Sequence, residues 1–173
     1  MGGQISGCCL TSLSIASLGR FVKYISDFGA GIYILSFGQR RIWKMIEPDW
    51  DNYANFSRPE FACSHCGRAE MQEVFMDNLQ ALRDEYGKGM TITSGFRCAQ
   101  HPIEANKSKP GAHTTGMAAD IAVQGKDAYE LLALAFEHGF SGIGVQQKGD
   151  KRFIHLDLLA EADGYPRPWV WSY

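Results

Sequence analysis

No run of apolar residues in this 173-residue chain reaches the ~20 needed to cross the ~30 Å core of a bilayer. The longest weakly polar stretches, Cys8–Gly19 and Phe28–Gly38, stop short of it. A surplus of charge is also missing. Lys+Arg 17 against Asp+Glu 19 leaves a net charge of -2, so no long-range field draws the chain to nucleic acid or to an anionic membrane, and neither is expected as a partner. There is no internal repeat, low-complexity tract or heptad, which excludes collagen-like, disordered and coiled-coil classes. The five cysteines (Cys8, Cys9, Cys63, Cys66 and Cys98) are odd in number and unevenly spaced. That argues against a complete disulfide framework and for thiols or metal ligands, and it leaves the redox compartment open. What is present suits one soluble core: 45% hydrophobic and 12% aromatic residues in a length typical of a single domain, expected to be a monomer.

Composition changes near Met45. Residues 1–44 are rich in Ser, Gly, Leu and Ile and read as an N-terminal extension in one of two ways. Met45-Ile46-Glu47-Pro48 looks like a natural start, which would make the preceding residues upstream read-through without a catalytic part. Alternatively they are a weak anchor: Met1 to Ser6 fits a myristoylation pattern with Cys8 and Cys9 as acylation sites, and Ile5-Ser6-Gly7-Cys8 resembles a lipoprotein cleavage box.

Residues 45–173 read as an α+β domain, a small antiparallel sheet flanked by helices. Ser57-Arg58-Pro59-Glu60 is a helix entry with a capping-box pattern. Met71, Phe75, Leu79, Leu82 and Tyr86 lay an apolar stripe along a helix that Gly87 terminates. Strands are expected at Met90–Thr93, Ala118–Val123, Gly142–Gln147 and Arg152–Leu158, with a helix from Asp127 to His138 and a hairpin turn at 149–151. The segment from Gly95 to Thr115 is a long connection, the kind that carries function in compact domains.

Four polar residues stand where a packed core would not choose them: His113, Asp120 seven positions on, and His155 with Asp157 in the last expected strand. Strand alternation puts Phe153, His155 and Asp157 on one face and Ile154, Leu156 and Leu158 on the other. An imidazole and a carboxylate set together cost desolvation unless paired or metal-bound, and two His with one carboxylate is a common catalytic zinc set. The spacing fits equally a solvated strand edge and a loop histidine.

The wording of these segments carries more. Ser94-Gly95-Phe96-Arg97, His113-Thr114-Thr115-Gly116-Met117-Ala118-Ala119-Asp120-Ile121 and Phe153-Ile154-His155-Leu156-Asp157 resemble, in order and spacing, the zinc D-alanyl-D-alanine peptidase family. That family includes bacterial D,D-carboxypeptidases and phage endolysins and shares its fold with hedgehog signalling domains. The resemblance spans about residues 45–173, including the closing Arg167-Pro168-Trp169 to Tyr173. It implies a Zn2+ ion on His113, Asp120 and His155, with a fourth position left for water whose pKa falls to ~7. It implies a peptidoglycan stem peptide as substrate, cut as a carboxypeptidase or as an endolysin, in a bacterial envelope or by a phage-encoded protein. Arg97 matches the arginine that orients substrate or stabilises the oxyanion, a role that suits a guanidinium fork. Many relatives place an acidic base three residues before the last ligand, but here that residue is Arg152. Asp157 is the candidate base, with Asp150 as the substitute; if Asp157 instead orients His155, the base lies elsewhere. A metal-stabilised binding domain without catalysis is the rival reading.

A second constellation, Cys63-x-x-Cys66 and Cys98-x-x-His101, has the ligand number and spacing of a structural zinc knuckle. It reads equally as reduced core-edge thiols beside a loop turn. His65 and His138 carry only the reading of exposed helix or loop residues.

Overall fold

The computed structural model describes residues 47–173, so the readings made of residues 1–44 lie outside the described residues. Three α-helices, α1 (Arg58–Phe61), α2 (Glu73–Tyr86) and α3 (Gly125–Glu137), accompany five strands: β1 (Thr91–Ser94), β2 (Ala118–Ala122), β3 (Gly142–Gln146), β4 (Phe153–Asp157) and β5 (Trp169–Ser172). Among the described residues no helix is long and apolar enough to cross a membrane.

Local chemistry accounts for the helices. The Glu60 carboxylate reaches back to accept the Ser57 backbone N–H and hydroxyl, each at 2.7 Å, and so closes the entry of α1. Along α2 the expected stripe is buried: Phe75, Met76, Leu79, Leu82 and Tyr86 face inward. Each large apolar side chain taken fully out of water contributes about 1.5–3 kcal/mol. Met71 lies just ahead of the helix and joins the same core. Helix α3 starts two residues before the expected Asp127 and buries Ala128, Leu131 and Ala135.

β1 to β4 fall within two residues of the expected positions, β5 is not among the expected strands, and the sheet is mixed, not wholly antiparallel. Its order is β1-β2-β4-β3-β5. The pairs β1/β2, β2/β4 and β3/β4 are antiparallel, whereas β5 lies parallel to β3. The chain leaves β4, loops through residues 158–168 and returns beside β3 in the same direction as β3, on the side away from β4.

Register divides the sheet into two chemically different faces. Ile121 pairs with Ile154, Ile154 with Val145, and Leu156 with both Ala119 and Ile143. With α2 and α3 these make one apolar core. On the opposite face a single rung crosses all five strands: Ser94, Asp120, His155, Gly144, Trp171. The neighbouring rung runs Ala118, Asp157, Gly142, Trp169. Glycine is required at both β3 positions of these rungs. A Cβ on Gly144 would stand 2.7 Å from the Trp171 ring, and one on Gly142 would collide with Arg167 Nε and both Asp157 carboxylate oxygens. Gly142→Ala is therefore expected to lower stability by about 1–3 kcal/mol, the range for overpacking a filled site. Chemical denaturation should show a lower midpoint with an unchanged slope; an unchanged midpoint would mean that this contact is slack.

Candidate metal centre

His113 is presented by a single helical turn, Ala112–Thr115, that ends at Gly116 with φ 71°. A left-handed residue is needed there, and a side chain would also run into the Glu70 carbonyl. Asp120 stands in the middle of β2, directly opposite His155 on β4. The four polar residues are all buried: His113 is 4%, Asp120 7%, His155 3% and Asp157 0% exposed. The reading of His155 and Asp157 as a solvated strand edge does not hold, because the 95–117 connection and β5 cover the side that a lone hairpin would leave open.

The outer hydrogen bonds fix which ring nitrogens are bare. His113 Nδ1 lies 2.7 Å from the Gly95 carbonyl, which can only accept, so that nitrogen carries the hydrogen and Nε2 keeps its lone pair. His155 Nε2 lies 3.1 Å from Asp157 Oδ2, which likewise leaves the lone pair on Nδ1. These two bare nitrogens face each other at 3.2 Å. Asp120 Oδ1 lies 3.2 Å from the first and 2.8 Å from the second. Three acceptors thus converge on one largely buried point. That arrangement is repulsive unless a cation or a proton sits between them. A tetrahedral zinc ion with ligand bonds of about 2.0–2.1 Å holds its donors about 3.3 Å apart, close to the separations here. Without such an ion, burial and the Asp120 carboxylate pull on the two rings differently. Burial pushes His113 down, whereas at His155 hydrogen bonds donated to the Asp120 and Asp157 carboxylates overcome burial and push it up. Burial raises Asp120, but both imidazoles outweigh it and hold the carboxyl well below the usual range.

The other oxygen of Asp120 is already taken. Arg97 donates from Nη2 to Asp120 Oδ2 at 2.9 Å and from Nε to Ser94 Oγ at 2.9 Å. Its backbone N–H bonds to the His113 carbonyl at 3.2 Å. Arg97 therefore keeps Asp120 turned so that Oδ1 alone faces the histidines. The connection carrying Arg97 is held by Glu104, a buried carboxylate that accepts from the Gly111 N–H and from Lys107, both at 2.8 Å, and lies 3.6 Å from Arg97 Nη1.

Asp157 does not stand free beside the cluster. Arg167 grips it with Nε to Oδ1 at 2.8 Å and Nη2 to Oδ2 at 2.5 Å, and the Leu159 N–H bonds to Oδ1 at 3.2 Å. Burial would raise its pKa, but Arg167 first and His155 second bring it down to about 2. Both oxygens are thus met by donors. Asp150 lies exposed in the β3–β4 turn and enters no hydrogen bond or ion pair among the described residues, and Arg152 is also exposed, bonded to the Gly149 carbonyl and to Gln124. On the β5 side, Trp171 stacks 5.2 Å from His155 between ring centroids, with the Arg167 guanidinium 5.1 Å from the Trp171 ring. Arg167 and Trp171 were visible in the sequence only as part of the closing segment. Nothing in their spacing marks them as neighbours of His155.

The second constellation is differently built from its expected form. Cys63, Cys66 and Cys98 converge, with their sulfurs all within 4.8 Å of one another, but His101 is not part of the group. His101 Nδ1 accepts the Ile103 N–H at 3.2 Å and Nε2 faces Ser64 Oγ at 3.1 Å, so both nitrogens are in use.

Comparison with known proteins adds one finding. No curated protein matches the chain. A family model described as Peptidase M15 matches residues 54–157, more than half of the chain. That span holds Arg97, His113, Asp120, His155 and Asp157, whereas Arg167 and Trp171 fall beyond it. A match of that extent, over a chain that folds as α+β and brings two histidines and an aspartate to one buried point, places this protein in the Peptidase M15 family of metallopeptidases.

Proposed function

We propose that the protein is a zinc peptidase that hydrolyses an amide in the peptidoglycan stem peptide, at a D-alanine. The observation that carries this reading is the convergence of three ligand atoms, His113 Nε2, Asp120 Oδ1 and His155 Nδ1, at a largely buried point whose separations suit zinc. These residues hold the ion. When bound, it supplies Lewis acidity toward an amide carbonyl and toward water. The chain's own residues do the remaining work. Gly95 and Asp157 fix the two imidazole tautomers, Arg97 sets the rotation of Asp120, and Trp171 with Tyr173 forms an aromatic wall along β5 against which a peptide can lie. We assign Asp157 a positioning role, not that of a base, because Arg167 and His155 occupy it. A substrate in the cell wall implies action at the bacterial envelope, by a trimming enzyme or by a phage lysis protein.

One observation favours a second reading, a zinc-stabilised binding domain: among the described residues the contacts of the cluster include no carboxylate with a free oxygen. Hydrolysis of purified stem peptides, with and without a chelator and read by mass spectrometry, separates the two. Loss of a terminal D-alanine marks a carboxypeptidase, and an internal cut marks an endopeptidase. Binding without any mass change would establish the second reading.

A further inference from the structure

Outside the centre just described, two segments distant in sequence bring three cysteines together. One lies between α1 and α2 and supplies Cys63 and Cys66; the other follows β1 and supplies Cys98. None is in a disulfide. We propose that Cys63, Cys66 and Cys98, completed by His65, bind a structural zinc ion.

The backbone around them is already shaped for thiolates. Cys63-Ser64-His65-Cys66-Gly67 closes on itself through the Gly67 N–H to the Cys63 carbonyl and the Cys63 N–H to the Arg68 carbonyl, both 2.8 Å. Gly67 takes a φ of 73°, which lets the chain reverse directly after the second sulfur. The Cys98 N–H points at Cys63 Sγ at 3.4 Å. The Arg68 backbone brings the Cys66 thiol down to about 7, toward the thiolate that ligates metal, whereas burial pushes the Cys98 thiol up. The Arg68 guanidinium also hydrogen-bonds Cys66 and offsets the negative charge that three thiolates leave on a divalent ion. With bonds of about 2.3 Å, tetrahedral zinc holds its sulfurs about 3.8 Å apart, inside the 4.8 Å limit within which these three lie.

The fourth donor we assign is His65, which stands outside the mutually close trio of sulfurs and reaches the fourth position by a turn of its exposed side chain. Its Nδ1 stands 3.2 Å from Cys98 Sγ, whereas both nitrogens of His101 are committed to Ser64 and Ile103. Cys63 and Cys98 are buried and Cys66 and His65 are exposed, which gives the ion an entry from the solvent side. Four protein ligands leave no open position, so this site is structural. Its effect reaches the first centre through one peptide bond: Cys98 follows Arg97, which orients Asp120. Zinc here would staple the 63–66 turn to the connection that carries Arg97.

The test is a Co2+ titration of the reduced, metal-stripped full-length protein under anaerobic conditions. Thiolate-bound cobalt shows sulfur-to-metal charge-transfer absorption in the near ultraviolet. The His113, Asp120 and His155 set has no sulfur and is silent there, so failure of the peptidase reading and failure of this one are separable. One equivalent of thiolate-bound cobalt per chain is expected, displaced by Zn2+. Cys66→Ser, at an exposed position, should abolish the band, and His65→Ala should weaken binding about tenfold or more while keeping it. A Cys8→Ser/Cys9→Ser variant should titrate like the wild type. No band in the reduced wild type, or a band that survives Cys66→Ser, overturns the proposal. So does a stable disulfide among these three cysteines whose reduction restores no cobalt uptake.

Discussion

Asp120→Ala is expected to leave the His113/His155 centre empty and to reduce peptide hydrolysis to background. One oxygen of this carboxylate faces both bare imidazole nitrogens and the other anchors Arg97, so a single truncation removes a ligand and releases the residue that aims it. It also takes from a largely buried guanidinium its shorter carboxylate contact, leaving Ser94 and, at 3.6 Å, Glu104. Deleting one partner of a buried pair costs about 3–5 kcal/mol when the other is left alone, so the loss here is expected below that range. Metal analysis should show one ion fewer per chain than the wild type, and thermal melting should fall even without metal. Full metal retention would remove Asp120 from the ligand set, and with it the assignment of this centre.

Asp157→Asn should be nearly as damaging, for a different reason. An amide can offer only one acceptor oxygen, so it cannot hold Arg167 through two bonds and still receive the His155 Nε2 hydrogen. If Asp157 acts by fixing the His155 tautomer, zinc affinity at this centre should fall by about 10–100-fold, with kcat falling alongside. If it were a proton acceptor, kcat would collapse with metal affinity unchanged. Measuring zinc dissociation constants and kcat on the same preparations decides between the two. Arg167→Ala offers an independent check, because it should weaken zinc binding in the same direction without touching any group that faces the metal pocket.

Much of this was readable before any coordinates. The apolar stripe of α2 and the alternation in β4 follow from local side-chain periodicity, and periodicity survives folding because it is what folding buries. His113, Asp120 and His155 stood out by type and spacing. What the sequence leaves unread shares a cause. β5 reads Trp-Val-Trp-Ser, with no polar alternation to mark an inner face, and whether it runs parallel to β3 depends on the path of a loop. The role of Asp157 depends on Arg167, ten residues downstream, and a partner reached only through tertiary structure leaves no local trace. His101 and His65 differ in the same way. Cysteine spacing favoured His101, and only the hydrogen bonds it makes to Ser64 and Ile103 show that it has no lone pair to give.

The rung that crosses all five strands gives the sheet a division of labour that bears on how the protein can change. Odd-numbered residues of β4 answer to chemistry and even-numbered ones to folding, and the two sets are separated by the thickness of one backbone layer. Of the elements that touch the chemical side, β5 is, among the described residues, an edge strand whose backbone pairs with β3 alone, with Trp169, Val170 and Tyr173 more than half exposed. Variation at Trp169 and Tyr173 is therefore the cheapest route to a different peptide preference. It can reshape the wall a substrate meets while the metal pocket and the core behind it keep every contact they have.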